Sequence, residues 1–404
     1  MNIREEALQR LASLDLRGYA ERRAYLDGNV THLSAYIRFG ILSIAEVRDR
    51  AFVVGGDDES REGFLQALAR YDYARRVLAL LGDEIHRAIE PLKTGWAADS
   101  YERSLPEDIR SASTGLACID GFVAELRETG YLHERARRWL AAYLVHWRRI
   151  AWETGANFFL EHAIDGDRAA NDLAWQSVAS SFSDAPYAFD RDELERYSRG
   201  RFCSACPKRL DGCPFEGTSE RIAAKLFPAM SGESVAAPEL FTAVDTRAPA
   251  MQLPARPMLL HHFGAMRPTH PAARLAPDAP ALFVTDAALY DEAGVNQVGR
   301  TIVYAALGSM RAEYRVGDFV EEALAFARLH DADGVLVTQS AEPALRRRFR
   351  RLGEALPVTV VPEDPFVFLD EAPDLRRFSR YWALARRSLN VLSSAANNVP
   401  LFSN

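Results

Sequence analysis

IDGDRAANDLAWQS, Ile164 to Ser177, is the stretch on which the reading of this chain turns. Two carboxylates stand two residues apart, Asp165 and Asp167, followed at short spacing by the amide of Asn171 and the indole of Trp175. Acceptors of this kind suit sugar hydroxyls and ring N–H groups, and an amide suits a ring nitrogen. Carboxylates beside a helix start also stabilise the helix itself, so the stretch has both a ligand reading and a structural one. Two other segments share this mixture. Gly18 to Ser43 (GYAERRAYLDGNVTHLSAYIRFGILS) puts Asn29, Thr31, His32 and Ser34 at the entrance of a helical pattern, where free N–H groups and hydroxyls can take a phosphate or simply cap. Thr114 to Leu144 carries Arg135 and Arg137 two residues apart on an expected helix.

These segments lie in a half of the chain that reads as nearly all helix. Apolar residues recur at spacings of three and four in REGFLQALARYDYARRVLALL and HERARRWLAAYLVHWRRIAW. Past residue 256 the pattern changes to short apolar runs, in PMLLHHF, ALFVTDAAL, DGVLVTQS and PVTVVPED, separated by helical stretches such as DFVEEALAFARLH. Strand alternating with helix predicts a doubly wound, parallel, Rossmann-like α/β domain. The organisation expected is a helical domain over 1–230, a Ser/Ala/Pro-rich linker over 231–256, an α/β domain over 257–390 and a tail over 391–404.

The 404 residues are 48% hydrophobic and 26% charged, with a formal charge of −7. That is an ordinary globular composition, and the acidic balance argues against indiscriminate nucleic-acid binding. No apolar run reaches the ~18 residues of a membrane span, so no membrane partner is expected and a cytoplasmic location follows. Three of the four cysteines form Cys203-x2-Cys206-x6-Cys213, with Cys118 far upstream. Thiols this dense hold zinc or an iron–sulfur cluster, and the spacing alone does not choose.

Taken together in this order, the segments resemble the FAD-binding domain of DNA photolyases and cryptochromes. VTHLSAYIRFG is similar to the family's T-S-x-L-S-x-Y-x-x-x-G, TGLACIDG to TGYPIVDA, LHERAR to MHNRxR, and IDGDRAAN to IDGDxAxN. The resemblance runs from about Leu16 to Phe189. It implies FAD held in an all-helical domain by Tyr19, Thr31, His32, Leu33 and Ser34 at the phosphates, and by Arg75, Arg137, Asp165, Asp167 and Asn171 around the ring and sugar. It also implies an electron-transfer chain of Trp175, Trp152 and Trp96. Trp139 and Trp147 are expected in core packing.

In the family's bacterial iron–sulfur branch, one cysteine precedes R-E-T-G-Y and three follow the flavin loop, ending in A-C-P-F. Cys118 before RETGY and GCPF at Cys213 resemble that set, which implies a [4Fe–4S] cluster on Cys118, Cys203, Cys206 and Cys213, with zinc as the alternative. The α/β half resembles the domain that normally comes first in photolyases, which implies circular permutation; no antenna chromophore is assigned. The positions that would grip a flipped-out pyrimidine dimer depart from the family. Its W-x-x-E-x-x-W-R-E-F aligns with FLQALARYDY, putting Ala67, Arg70 and Tyr71 where Glu, Trp and Arg are usual, and Glu134 replaces the Asn of MHNR. The expected function is therefore a blue-light flavoprotein performing photoinduced electron transfer. A photolyase of altered specificity acting on damaged DNA, such as a (6-4) photoproduct, is the alternative. A light-independent module signalling to a partner is a third reading. His261 and His262 are expected to be packing residues.

Overall fold

The computed structural model of the chain describes residues 2–28, 30–227, 241 and 251–397. It falls into two compact units. One comprises Met1–Arg17, Thr31–Gly82 and Thr242–Asn404, the other Gly18–Val30 and Asp83–Phe241.

The first unit is built on a five-stranded parallel sheet: β1 (Pro257–His261), β2 (Ala281–Thr285), β3 (Glu313–Val316), β4 (Gly334–Thr338) and β5 (Val358–Val361). Their order is β3-β2-β1-β4-β5, with Leu259 opposite Ala281 and Pro257 opposite Gly334, so the direction of winding reverses between β1 and β4. Parallel neighbours need a crossover, and helices Gln297–Leu307, Phe319–Leu329 and Pro343–Gly353 supply three of them. Each starts on a recognisable signal. Asn296 caps the first, Asp318 accepts from Val320 and Glu321 N–H in the second, and Pro343 opens the third. β4, GVLVT, is buried throughout, as a central strand covered on both faces should be. β3, EYRV, lies at the edge and is mostly exposed; its lack of an apolar run is why the sequence pattern gave no strand there.

The same unit takes in the N-terminal helices. Ile3–Ala12 and Ile44–Val53 each begin with a reciprocal capping box, Asn2 with Glu5 and Ser43 with Glu46. Arg48 Nη1 donates to the carbonyls of Pro365 and Phe366, both at 2.7 Å. In the 24-residue helix Asp58–Leu81, Tyr73 donates to Leu375 O at 2.8 Å and Asp72 accepts from Tyr381. This grouping differs from a division at residues 231–256. Contacts between positions some 300 residues apart leave no trace in a linear pattern. Of the expected linker, 231–240 and 242–250 lie outside the described residues, as do 398–404 of the expected tail. The helix Phe378–Asn397 runs across the expected boundary at 390.

The second unit is helical. Ala117–Thr129, Glu134–Ala142, Trp152–His162, Arg168–Ala179 and Arg191–Ser198 surround a core containing Phe122, Trp139, Leu140, Phe159, Phe189 and Phe215. Trp139 is fully buried, and Trp147 packs on Phe189 and Phe215, so both are the packing residues expected. Gln176 bridges Ile89 N–H and Ile85 O, while Lys93 reaches Glu90 at 2.6 Å and Ser180 O at 2.9 Å. These bonds tie the irregular segment around 85–93 to the end of the Arg168–Ala179 helix. Among the described residues no helix is long and apolar enough to cross a membrane.

Candidate functional site

The residues expected at the flavin are distributed over both units. In the sheet-bearing unit, Thr31, His32 and Leu33 lead into the five-residue helix Ser34–Arg38, whose N-cap is Leu33 with no side-chain cap bond. Neither Thr31 nor Ser34 is therefore spent as the cap. Asn29 lies outside the described residues. His32 adopts φ +51°, and burial together with Arg10 pushes its imidazole below the usual histidine range. Arg75 donates to Ile37 O at 2.8 Å and so grips that short helix from within the same unit.

In the helical unit, four of the expected side chains come together at the start of Arg168–Ala179. Asp167 is its N-cap and accepts from Ala170 N–H at 3.0 Å. Asp165 is buried and pairs with Arg137, Nη2 to Oδ2 at 3.1 Å. Arg137 is itself pinned by Nε to Leu132 O at 2.7 Å. Asn171 donates through Nδ2 to Ala156 O at 3.1 Å and to Asp172 Oδ1 at 3.3 Å. That network assigns the amide, and it leaves Oδ1 as the end that can accept from a ligand. Tyr19 is buried in this unit beside Arg23, and burial raises its phenol.

Two partners here had no sequence signal. Asp172 is buried and meets His86 Nδ1 at 2.6 Å, with Arg168 Nε 3.8 Å away. The pair is 86 positions apart, and only the fold brings it together. Of the departures from the family pattern, Arg70 stacks over Phe378 at 4.2 Å. His133 caps Glu134–Ala142, with Nε2 on Arg23 O at 3.0 Å.

The three tryptophans pack on one hydrophobic core. Trp175 and Trp152 are buried in it and Trp96 is half-buried against it. Trp175 lies so close to the Trp152–His162 helix that a Cβ on Gly155 would stand 2.3 Å from its ring. Trp96 donates Nε1–H to Leu226 O at 2.8 Å, and Arg149 covers its face at 3.4 Å.

The four cysteines line one cavity, together with Leu116, Arg191, Leu194, Phe202, Arg209 and Phe215. Cys118 sits on the first turn of Ala117–Thr129, and Cys203 opens a short 3-10 turn packed against that helix. What admits the approach is Gly121. A Cβ there would lie 2.5 Å from the Phe202 ring, which stacks edge-on to Phe122 at 5.0 Å. Burial pushes the Cys118 thiol far up, and the other three sulfurs add to it. Burial and Glu195 raise Cys203 to about 11, while Arg191 opposes the shift. Among the described residues no three His, Cys, Asp or Glu side chains converge tightly enough for a single metal ion.

Comparison with known proteins gives these sites a context. The sequence pattern of the FAD binding domain of DNA photolyase matches residues 64–199. A deoxyribodipyrimidine photo-lyase of Streptomyces griseus is 34% identical over 185 residues, covering 45% of this chain and 40% of that protein. Cryptochrome-1 of Arabidopsis thaliana is 25% identical over 218 residues, 49% of this chain and 30% of that one. The chain thus spans less than half the length of these curated relatives. A crystal structure of a class III photolyase from Agrobacterium tumefaciens is similar with a TM-score of 0.43 at 23% identity, covering 57% of this chain and 51% of that chain. Residues 64–199 are therefore similar to the FAD binding domain of DNA photolyase.

Proposed function

We propose that the chain is a blue-light flavoprotein carrying FAD and a [4Fe–4S] cluster, whose activity is photoinduced electron transfer. The FAD-binding domain match carries this reading. The polar set of Arg137, Asp165, Asp167 and Asn171 suits the cofactor, because it offers fixed acceptors and one directed amide oxygen. Tyr19, Thr31, His32, Leu33, Ser34 and Arg75 would complete the binding residues. Bound FAD would supply a light-absorbing electron acceptor, and Trp175, Trp152 and Trp96 would donate to it in turn. A shared aromatic core suits that task, with the outermost ring half-buried under Arg149.

For the cysteines, one cavity is lined by all four thiols, a donor set that suits an iron–sulfur cluster, with zinc as the alternative. We read the domain order as a circular permutation of the photolyase arrangement, in keeping with a parallel sheet formed late in the chain. Repair of damaged DNA is the second reading, favoured by the photo-lyase relative. Ala67 and Arg70, the latter engaged with Phe378, argue against the usual dimer grip.

One purified sample tests both cofactors: a flavin spectrum, with iron and acid-labile sulfide near four each per chain. Under anaerobic blue light the flavin should bleach, and Trp175→Phe should slow this at least tenfold while keeping FAD bound. Flavin that bleaches equally fast in the variant would remove the tryptophan chain. Repair of cyclobutane or (6-4) photoproducts by the illuminated reduced protein would establish the second reading.

A further inference from the structure

The cavity that gathers the cysteines also takes in a guanidinium with an unused donor. Arg191 opens the helix Arg191–Ser198, and its backbone N–H donates to Phe215 O at 2.8 Å, two residues beyond Cys213. The start of this helix is therefore anchored to the loop that carries the third clustered thiol. Its Nη1 donates to Arg209 O at 3.1 Å and stands 3.6 Å from Glu216. Its Nε is buried and, among the described residues, meets no acceptor. A buried N–H without a partner is unfavourable, and such groups mark places where a ligand or ion completes the bonding.

The cavity wall says what could accept. Its side chains are Leu, Phe, two arginines and the four cysteines, so the side-chain acceptors on it are sulfurs alone. Arg191 and Arg209 are the two cations on that wall.

We propose that Arg191 is a positioning residue of the cysteine site, whose Nε–H donates to a sulfur of the bound [4Fe–4S] group and whose charge offsets that of the four thiolates. The inference rests on the cluster reading given above. Potentials of such clusters follow net charge and the hydrogen bonds made to their sulfurs. A donor and a positive charge both favour the reduced form, which carries one more negative charge. Arg191 thus holds the reduction potential above the value that a cavity of thiols and apolar rings would set.

The test uses the full-length holoprotein, titrated with dithionite and followed by the electron paramagnetic resonance of the reduced cluster, which flavin absorbance does not obscure. Arg191→Met should keep iron and sulfide yet raise the oxidised-to-reduced ratio at the wild-type midpoint at least tenfold, a midpoint about 59 mV lower. Arg191→Lys, which keeps charge but loses the planar fork, should shift it in the same direction by less. Cluster loss from the Met variant leaves the decision to the Lys variant. A Lys midpoint below wild type then supports the role, and an unchanged one overturns it. A Met variant that keeps its cluster at the wild-type midpoint also overturns it. Wild-type protein without iron and sulfide fails the cluster reading itself, an outcome separable from either variant result.

Discussion

Gly121 and Gly155 are helical residues whose missing side chains are filled by aromatic rings, Phe202 and Trp175 respectively. In an exposed helix, replacing glycine with alanine would stabilise by about 1 kcal/mol. Here the sign reverses, because the new methyl would stand 2.3 Å from the Trp175 ring in an interior with no slack. Gly155→Ala is expected to destabilise by about 1–3 kcal/mol, the range for overpacked cores. Denaturant unfolding gives the magnitude, and near-ultraviolet circular dichroism reports the displaced indole; an unchanged or higher midpoint would contradict this packing. The same residues mark where sequence reading stopped. Cys118, Cys203, Cys206 and Cys213 are conspicuous by type and spacing, as is the carboxylate pair Asp165 and Asp167. Gly121, Arg191 and the His86–Asp172 pair are not, because a glycine or an arginine in a helical pattern has no local mark of what will pack on it.

Among the elements, those with a strong period were legible and those at edges were not. β1, β2, β4 and β5 announce themselves as apolar runs, and β3 does not because its side chains face solvent. The end of β1 carries a consequence that the sequence only hinted at. His261 Nδ1 meets His270 Nε2 at 2.7 Å, His270 Nδ1 meets Thr338 Oγ1 at 2.8 Å, and His262 Nε2 lies on Thr338 O at 2.9 Å. His261 and His262 are thus packing residues of the sheet, as expected. Burial pushes His261 and His262 down to about 4 and His270 to about 2. Unfolded, each titrates near 6.5. Above that value both states are neutral and the stability is fully present. As pH falls from about 6.5 towards 4, the unfolded chain takes up protons that the folded one refuses. Stability should then fall by up to about 1.4 kcal/mol per pH unit for each histidine. Urea midpoints of the sheet-bearing unit between pH 7.5 and 4.5 would measure the slope, and His262→Gln should lower it by close to one proton. A slope untouched by that substitution would mean that His262 is not neutral in the folded state.

At the scale of the molecule, the sequence shows clearly where helix gives way to alternating strand and helix, but not which pieces fold together. Thr31–Gly82 reads as part of the helical half and clusters with the sheet. Its interactions explain why. Arg48 serves two backbone carbonyls, at Pro365 and Phe366, and Tyr73 lies edge-on to Phe378 at 5.6 Å while donating to Leu375 O. A buried carbonyl that loses its donor costs about 1–3 kcal/mol. Arg48→Met is therefore expected to destabilise the sheet-bearing unit by about 2–4 kcal/mol, since two carbonyls lose one shared donor and the effects overlap. A fragment of residues 251–404 lacks the N-terminal helices. It keeps all five strands, yet it exposes the apolar face of Phe378–Asn397 and leaves the Pro365 and Phe366 carbonyls without Arg48. Hydrogen exchange should therefore find the amides of β1 and β4 protected far less in the fragment than in the full chain. Equal protection would make 257–390 a self-sufficient domain after all, and would return the boundary to where the change of sequence pattern puts it.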